Sequence, residues 1–192
     1  MVTLTITKPH GVTTLSVYDP EKACSYDLPP IPEMVDGLPM FSQIIEVGPD
    51  LMVIGGFDPV SWRVLDSVFI YNFKSMSWRR GADMPGQQRL LFGCSSDSEK
   101  MVLVTGGHND DKNVALRSVL LYDVEKDKWI VLPNMVMERY ECKCILTEVF
   151  VLTLVCLIFQ PSGHQSLVSF KVSPRVLCSS FWPLLPKFVS EY

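Results

Sequence analysis

No stretch of this sequence gathers lysine and arginine. Its 17 basic residues are dispersed among 21 acidic ones, for a net charge of −4 at pH 7 and a pI near 5.4. A nucleic-acid surface needs clustered cations to meet phosphates, so that class of partner is excluded. There is also no apolar run long enough to span a bilayer as a helix. Val149 to Phe159, 11 residues apolar but for Thr153, is about half of the ~20 residues a membrane helix requires, and it reads as a buried strand. The opening residues MVTLTITKPH hold no basic region followed by an apolar core, so they are not a secretory signal. The six cysteines (Cys24, Cys94, Cys142, Cys144, Cys156 and Cys178) are scattered through apolar stretches. Without an oxidising compartment they are expected to be reduced, partly buried thiols of a cytoplasmic or nuclear protein.

What the sequence does have is punctuation and a repeat. Fourteen prolines and 11 glycines interrupt a chain that is 47% hydrophobic and 20% charged, the pattern of a folded protein of short strands. Gly55 to Trp78, GGFDPVSWRVLDSVFIYNFKSMSW, is answered by Gly106 to Trp129, GGHNDDKNVALRSVLLYDVEKDKW. The glycine pairs Gly55-Gly56 and Gly106-Gly107, the tyrosines Tyr71 and Tyr122, the tryptophans Trp78 and Trp129, and the methionines Met84 and Met135 all stand 51 residues apart. Four unlike landmarks at one spacing mark a structural repeat, and a period near ~50 is that of a four-stranded propeller blade.

In the first repeat the predicted strands are Ser42–Ile45, Leu51–Ile54, Ser67–Asn72 and one around Trp78, with Gly55-Gly56 ending the second. In the second repeat they are Leu90–Cys94, Met101–Thr105, Val119–Val124 and Trp129–Leu132. The expected fold is all-β, a partial propeller of four-stranded antiparallel blades with about two complete blades plus partial ones. The predicted division runs 1–35 (a partial repeat and a proline-rich connector), 36–86 and 87–134 (complete repeats), 135–146 (the start of a further repeat) and 147–192 (an atypical tail). In the first segment Val17-Tyr18-Asp19 matches the Tyr-Asp element, but Ser25 stands where tryptophan is expected. In the fourth, Arg139 and Cys144 answer Arg89 and Cys94 at 50 residues.

Glycine pair, variable loop, Tyr-Asp or Tyr-Asn, Trp, then Met and Arg: this order resembles the kelch repeat. The stretches DGLPMF, GGFDPVSW, ADMP, GGHNDDKNVALRSVLLYDV and MERYEC resemble the plant F-box/kelch-repeat proteins, over roughly Gly11 to Cys144. That resemblance implies a kelch β-propeller that holds a protein target, joined to an F-box that docks on the linker subunit of an SCF-type ubiquitin ligase. It further implies targets among phenylpropanoid-pathway enzymes or cytokinin-response regulators. The chain as read begins inside a blade and has no F-box, so an adaptor truncated at both ends, or a non-functional fragment, is the companion reading.

Site residues are expected in two sets. Gly55, Gly56, Tyr71, Trp78, Gly106, Gly107, Tyr122 and Trp129 are read as structural residues of the repeat. The loops after the glycine pairs are the candidate partner-binding surface, with Phe57, Asp58, Trp62 and Arg63 in the first and His108, Asn109, Asp110, Asp111, Lys112 and Asn113 in the second. Trp62 stands outside the repeat register, and exposed Trp and Arg are typical interface anchors. Arg89 and Arg139 are expected to open the first strands of their blades, in internal salt bridges or at a ligand. No catalytic, cofactor or metal residues are expected. Cys142-x-Cys144 has the wrong spacing for zinc and is read as a strand with both thiols on one face. Asp123-x-Glu125-x-Asp127 fails as a calcium loop because Lys128 occupies the glycine position. His108 with Asp110 and Asp111 has no nucleophile beside it and reads as a solvated loop. The copper chemistry of galactose oxidases on kelch propellers needs converging His and Tyr ligands, and the histidines here, His10, His108 and His164, are too few and too scattered.

Overall fold

The computed structural model describes residues 3–7, 14–19, 22–34, 37–58, 60–109, 111–142 and 144, with two-residue strand pieces at 156–157 and 167–168. Val149 to Phe159 and the predicted 147–192 tail lie almost wholly outside the described residues. Among the described residues no helix is long and apolar enough to cross a membrane.

Three antiparallel sheets follow one another along the chain. The first holds β1 (Thr3–Thr7), β2 (Thr14–Asp19) and β3 (Cys24–Asp27) in that order. The second holds β4 (Gln43–Val47), β5 (Asp50–Asp58), β6 (Arg63–Asn72) and β7 (Ser77–Gly81), again in sequence order. The third contains β8 (Gly93–Ser96), β9 (Met101–Thr105), β12 (Val119–Asp123) and β13 (Lys128–Leu132). Between β9 and β12 a two-residue pair, β10 (His108–Asn109) and β11 (Val114–Ala115), extends one end of that sheet. The two complete sheets are the predicted four-stranded blades.

Each complete sheet is apolar on both faces because it is covered twice. Along β5 and β6, Leu51, Val53, Phe69 and Tyr71 pack toward the first sheet, against Leu15, Val17, Leu28, Ile31 and Leu38. Their neighbours Met52, Ile54, Val68 and Ile70 point the other way, against Phe92 of the following connector and Val102, Val104, Leu120 and Tyr122 of the third sheet. Period-2 alternation therefore separates two cores rather than a core and a solvent face. Truncating any one of these buried aliphatic side chains to alanine costs about 2–5 kcal/mol.

The repeat landmarks do the same job in both blades. Tyr71 faces Trp78 across the ladder with ring centroids 5.1 Å apart, and Tyr122 faces Trp129 at 4.8 Å. Trp78 Nε1 donates to the Pro29 carbonyl at 2.7 Å, and Trp129 Nε1 donates to the Ala82 carbonyl at 2.8 Å. Each tryptophan thus seals its own sheet and ties it to the connector of the preceding one. In the first sheet the pair in this register is Tyr18 and Ser25, where the sequence lacks its tryptophan.

One boundary differs from expectation. Gly55-Gly56 does not end β5. The strand passes through the pair by a bulge between Ile54 and Gly56 and continues to Asp58, pairing Phe57 with Val64 and Asp58 with Arg63. Gly55 and Gly56 take φ of 58° and 107°, values that favour glycine, so the bulge forms without strain. In the third sheet the leading strand begins at Gly93, not Leu90, and Leu90 instead bridges His108.

Candidate functional site

In each four-stranded sheet the two hairpin turns lie at one end. The glycine pairs and the connectors between sheets lie at the other. The first end is closed by side chains that satisfy their own turns. Asp97 accepts from three successive amides, those of Glu99, Lys100 and Met101, at 2.8–2.9 Å. Asp123 accepts from the Lys126 amide at 3.1 Å and its ammonium at 2.7 Å. Asp127 accepts from the Tyr122 hydroxyl and, at 2.8 Å, from the Ala82 amide. These bonds account for the Asp-x-Glu-x-Asp run as a turn, and among the described residues no three metal-ligating side chains come together.

The glycine-pair end is built differently. In the second sheet, β5 and β6 run on past the bulge to a tight turn at its tip. Asp58 organises that turn: its carboxylate accepts from the Val60 amide at 2.9 Å and from the Ser61 hydroxyl, and its carbonyl accepts from the Trp62 amide at 2.9 Å. The Ser61 hydroxyl above all, and then the Val60 amide, hold the Asp58 carboxyl below its usual range. Trp62 is presented at the summit, 78% exposed with φ of 57°, and the Phe57 ring meets it edge-on at 5.8 Å. The expected loop residues Phe57, Asp58 and Arg63 are therefore ladder residues that support the turn, with Trp62 as the element on offer. An extended ladder was hidden in the sequence because Phe57-Asp58 and Arg63-Val64 alternate too briefly to register as strand.

The third sheet repeats the plan with polar residues. Asn109 is a correction: it is buried, its Nδ2 donates to the Gln88 carbonyl at 3.0 Å and its Oδ1 accepts from the Lys112 amide at 2.9 Å. It shapes the hairpin and is not a contact residue. Asp111, Lys112 and Asn113 are exposed at the tip. His108 is half-buried on β10, its ring edge-on to Tyr140 at 5.7 Å. Asp110 lies outside the described residues.

The connectors add apolar residues to this end that sequence reasoning missed. Met40 bridges Phe57, and the half-exposed Phe41 follows it with φ of 59°. Leu91 occupies the same place before the third sheet with φ of 53°, and Glu141, in the connector that follows that sheet, has φ of 52°. A recurrent left-handed residue at non-glycine positions leaves no sequence signal, which is why these were not found. At this end of the second sheet the exposed apolar residues are thus Met40, Phe41, Val60 and Trp62, and beside His108 in the third stands Tyr140.

Arg89 and Arg139 also stand here. Neither opens a strand and neither forms an ion pair among the described residues, so the salt-bridge expectation is corrected. Arg89 donates from one terminal nitrogen to the Gly106 carbonyl at 3.1 Å, and Arg139 bridges Leu116 through its backbone. Cys142 and Cys144 are not on a strand. They pack with Leu103, Leu121 and Met135 on the outer face of the third sheet, where the Cys142 thiol donates to the Thr105 carbonyl at 3.5 Å. Burial pushes the Cys144 thiol up to about 12, the opposite of what a metal ligand or nucleophile requires.

Comparison with known proteins agrees with the repeat. The model of the kelch motif matches residues 44–85 and 99–136. An F-box/kelch-repeat protein of Arabidopsis thaliana is 50% identical over 131 residues, 68% of this chain and 37% of the relative. A second from the same plant is 47% identical over 139 residues, 72% of this chain and 38% of the relative. The human kelch-like protein 23 is 31% identical over 90 residues, 47% of this chain and 15% of that protein. The chain spans a little over a third of the length of the two Arabidopsis relatives.

Proposed function

We propose that this chain, a kelch-repeat chain of the plant F-box/kelch kind, holds a protein target on the glycine-pair end of its sheets. It acts there as a non-catalytic receptor, the target-recognition part of an SCF-type ubiquitin ligase adaptor. An F-box joined to the propeller would place the target beside the ligase through the linker subunit. Family resemblance favours phenylpropanoid-pathway enzymes or cytokinin-response regulators as targets, encountered in the cytoplasm or nucleus.

One observation carries this reading. Trp62 is held at the summit of a turn that Asp58 locks, without any packing role of its own beyond the edge of Phe57. A large aromatic that is rigid before it binds loses little conformational freedom on binding, which is what an interface anchor needs. The apolar neighbours Met40, Phe41 and Val60 widen the same surface. At the opposite end Asp97, Asp123 and Asp127 are taken up by their own turns and by the Ala82 amide, and Met76 is the exposed apolar side chain there.

The test uses photo-crosslinking side chains placed singly at Trp62 and Asp111, and, at the other end of the sheets, at Lys74 and Glu125. In plant-cell extract a target should crosslink from the first two positions and not from the second two. The half-life of that protein in cells should lengthen when Trp62→Ala replaces the wild type. Equal capture from Lys74 or Glu125, or an unchanged half-life, refutes the receptor reading.

A further inference from the structure

Arg89 and Arg139 occupy the same position in successive repeats, and both are enclosed without a carboxylate. Arg89 is 2% exposed and Arg139 7%. In each the Nε is buried and has no acceptor. Beyond its one bond to Gly106, Arg89 makes no hydrogen bond among the described residues, and the Arg139 guanidinium reaches only the Met137 sulfur at 4.0 Å. A guanidinium has five donors and a permanent charge, so burial in this state is costly. Burial indeed lowers the pKa of Arg89 to about 10.

The fold does not demand an arginine here. Both residues press on one glycine pair: Arg89 Cβ stands 3.1 Å from where a Gly107 Cβ would lie, and the Arg139 carbonyl accepts from the Gly107 amide at 2.8 Å. In the preceding repeat the residue against Gly56 is Pro39, whose Cβ makes the equivalent approach at 2.9 Å. The same glycine-pair backbone, with φ of 58° and 107° there and 61° and 107° here, therefore forms against a proline. An uncompensated cation retained where a proline suffices for packing calls for another role.

Space for that role is present. Arg89 lines an open groove of roughly 800 Å³ between the 85–87 connector and the β10–β11 extension. Arg117 and Asn134 stand on its walls and Glu138 at its rim. We infer that this groove takes an acidic side chain of the target polypeptide, with Arg89 as the buried anchor and Arg117 as the second cation. The assignment rests on the receptor reading above and gives it a chemistry: the target segment carries Glu or Asp. A carboxylate in the groove supplies the Arg89 guanidinium with the charged acceptor its own chain withholds. Glu138 opposes such a ligand and sets an upper limit on its affinity.

Fluorescence anisotropy on the full chain tests this with a short labelled peptide of alternating Glu and Ser, and with its Gln-Ser counterpart. The Glu peptide should bind about tenfold or more tightly than the Gln peptide, and Arg89→Met should remove that preference. Arg89→Lys should retain part of it, since a point charge replaces the planar fork. Glu138→Gln should tighten binding. Equal binding of the two peptides, or an unchanged preference in Arg89→Met, overturns the inference. Should Arg89→Met fail to fold, the surface variants Arg117→Met and Glu138→Gln decide: unchanged affinity in both overturns it equally. A target that crosslinks at Trp62 while the Glu peptide goes unbound sinks the carboxylate site alone. Peptide binding with no crosslinked target sinks the receptor reading and leaves the site.

Discussion

Replacing Gly106 by alanine asks how closely one repeat is seated on the next. Gly106 has φ of 61°, and a Cβ built on it would overlap the Arg139 carbonyl oxygen, which is also the acceptor for the Gly107 amide. Three penalties combine. A left-handed alanine costs about 1–2 kcal/mol, crowding against backbone that cannot rotate away costs about 1–3 kcal/mol, and loss of the Gly107–Arg139 hydrogen bond costs about 1 kcal/mol. The sum, about 3–6 kcal/mol, is a large share of the ~5–15 kcal/mol that holds a native domain together. Gly86 supplies the control, because its φ is 90° yet a Cβ there meets nothing within 4 Å. Gly86→Ala should cost only the conformational strain, about 1–3 kcal/mol. Urea unfolding followed by tryptophan emission reads both. With a slope of about 2 kcal/mol/M, the midpoint should fall by about 1.5–3 M for Gly106→Ala and by about 0.5–1.5 M for Gly86→Ala. Equal shifts in the two variants would refute the claim that the Gly106 backbone is fixed by close approach to the following connector.

Trp129→Phe keeps an aromatic ring in the core but loses the bond to the Ala82 carbonyl, and should lower stability by about 1–2 kcal/mol in the same assay. Trp62→Ala, at an exposed summit, should change stability by no more than about 0.5 kcal/mol while abolishing crosslinking to the target. Asp127 is held below its ordinary carboxyl value of 3.8, chiefly by the Tyr122 hydroxyl. A depressed value of this kind contributes stability that is complete above about pH 4 and is lost as pH falls through the folded value, so the acid limb of a pH-stability curve should be shallower in Asp127→Asn. Among the cysteines of the described residues, alkylation under native conditions followed by mass spectrometry should label the exposed Cys24 first. Cys94 and Cys144, whose thiols burial pushes up, should react only on unfolding.

The blades were legible in the sequence because their landmarks are bulky or conformationally special. Tyr71 with Trp78 and Tyr122 with Trp129 meet across the ladder as the common spacing implies. The paired glycines do mark a backbone departure, at a bulge within β5 for Gly55-Gly56 and just past the end of β9 for Gly106-Gly107. The site was only partly legible. Trp62 stood out by breaking the repeat, and the structure exposes it. Asn109 looked like any loop asparagine, and only its bonds to Gln88 and Lys112 reveal a structural part. Phe41, Leu91 and Glu141 share one backbone conformation and no side-chain chemistry, so a one-dimensional comparison does not align them by function. The sequence reads Arg89 as part of an internal salt bridge or a ligand contact, and only its burial beside the Gly106 carbonyl shows that no carboxylate of the described residues pairs with it.

The bonds from Trp78 to Pro29 and from Trp129 to Ala82 give the array a direction. In both, the donor belongs to the later sheet and the acceptor to the connector of the earlier one. A chain leaving the ribosome therefore always has the acceptor in hand before the donor emerges. Each new blade can thus bond backward onto structure already made, while the apolar face it shares with the next blade is covered only when that blade follows. Pulse proteolysis of arrested nascent chains should accordingly find the second sheet protected before β12 and β13 have been synthesised. Were protection of that sheet to appear only with the third, the order of assembly would be set by the shared apolar core and not by the tryptophan latch.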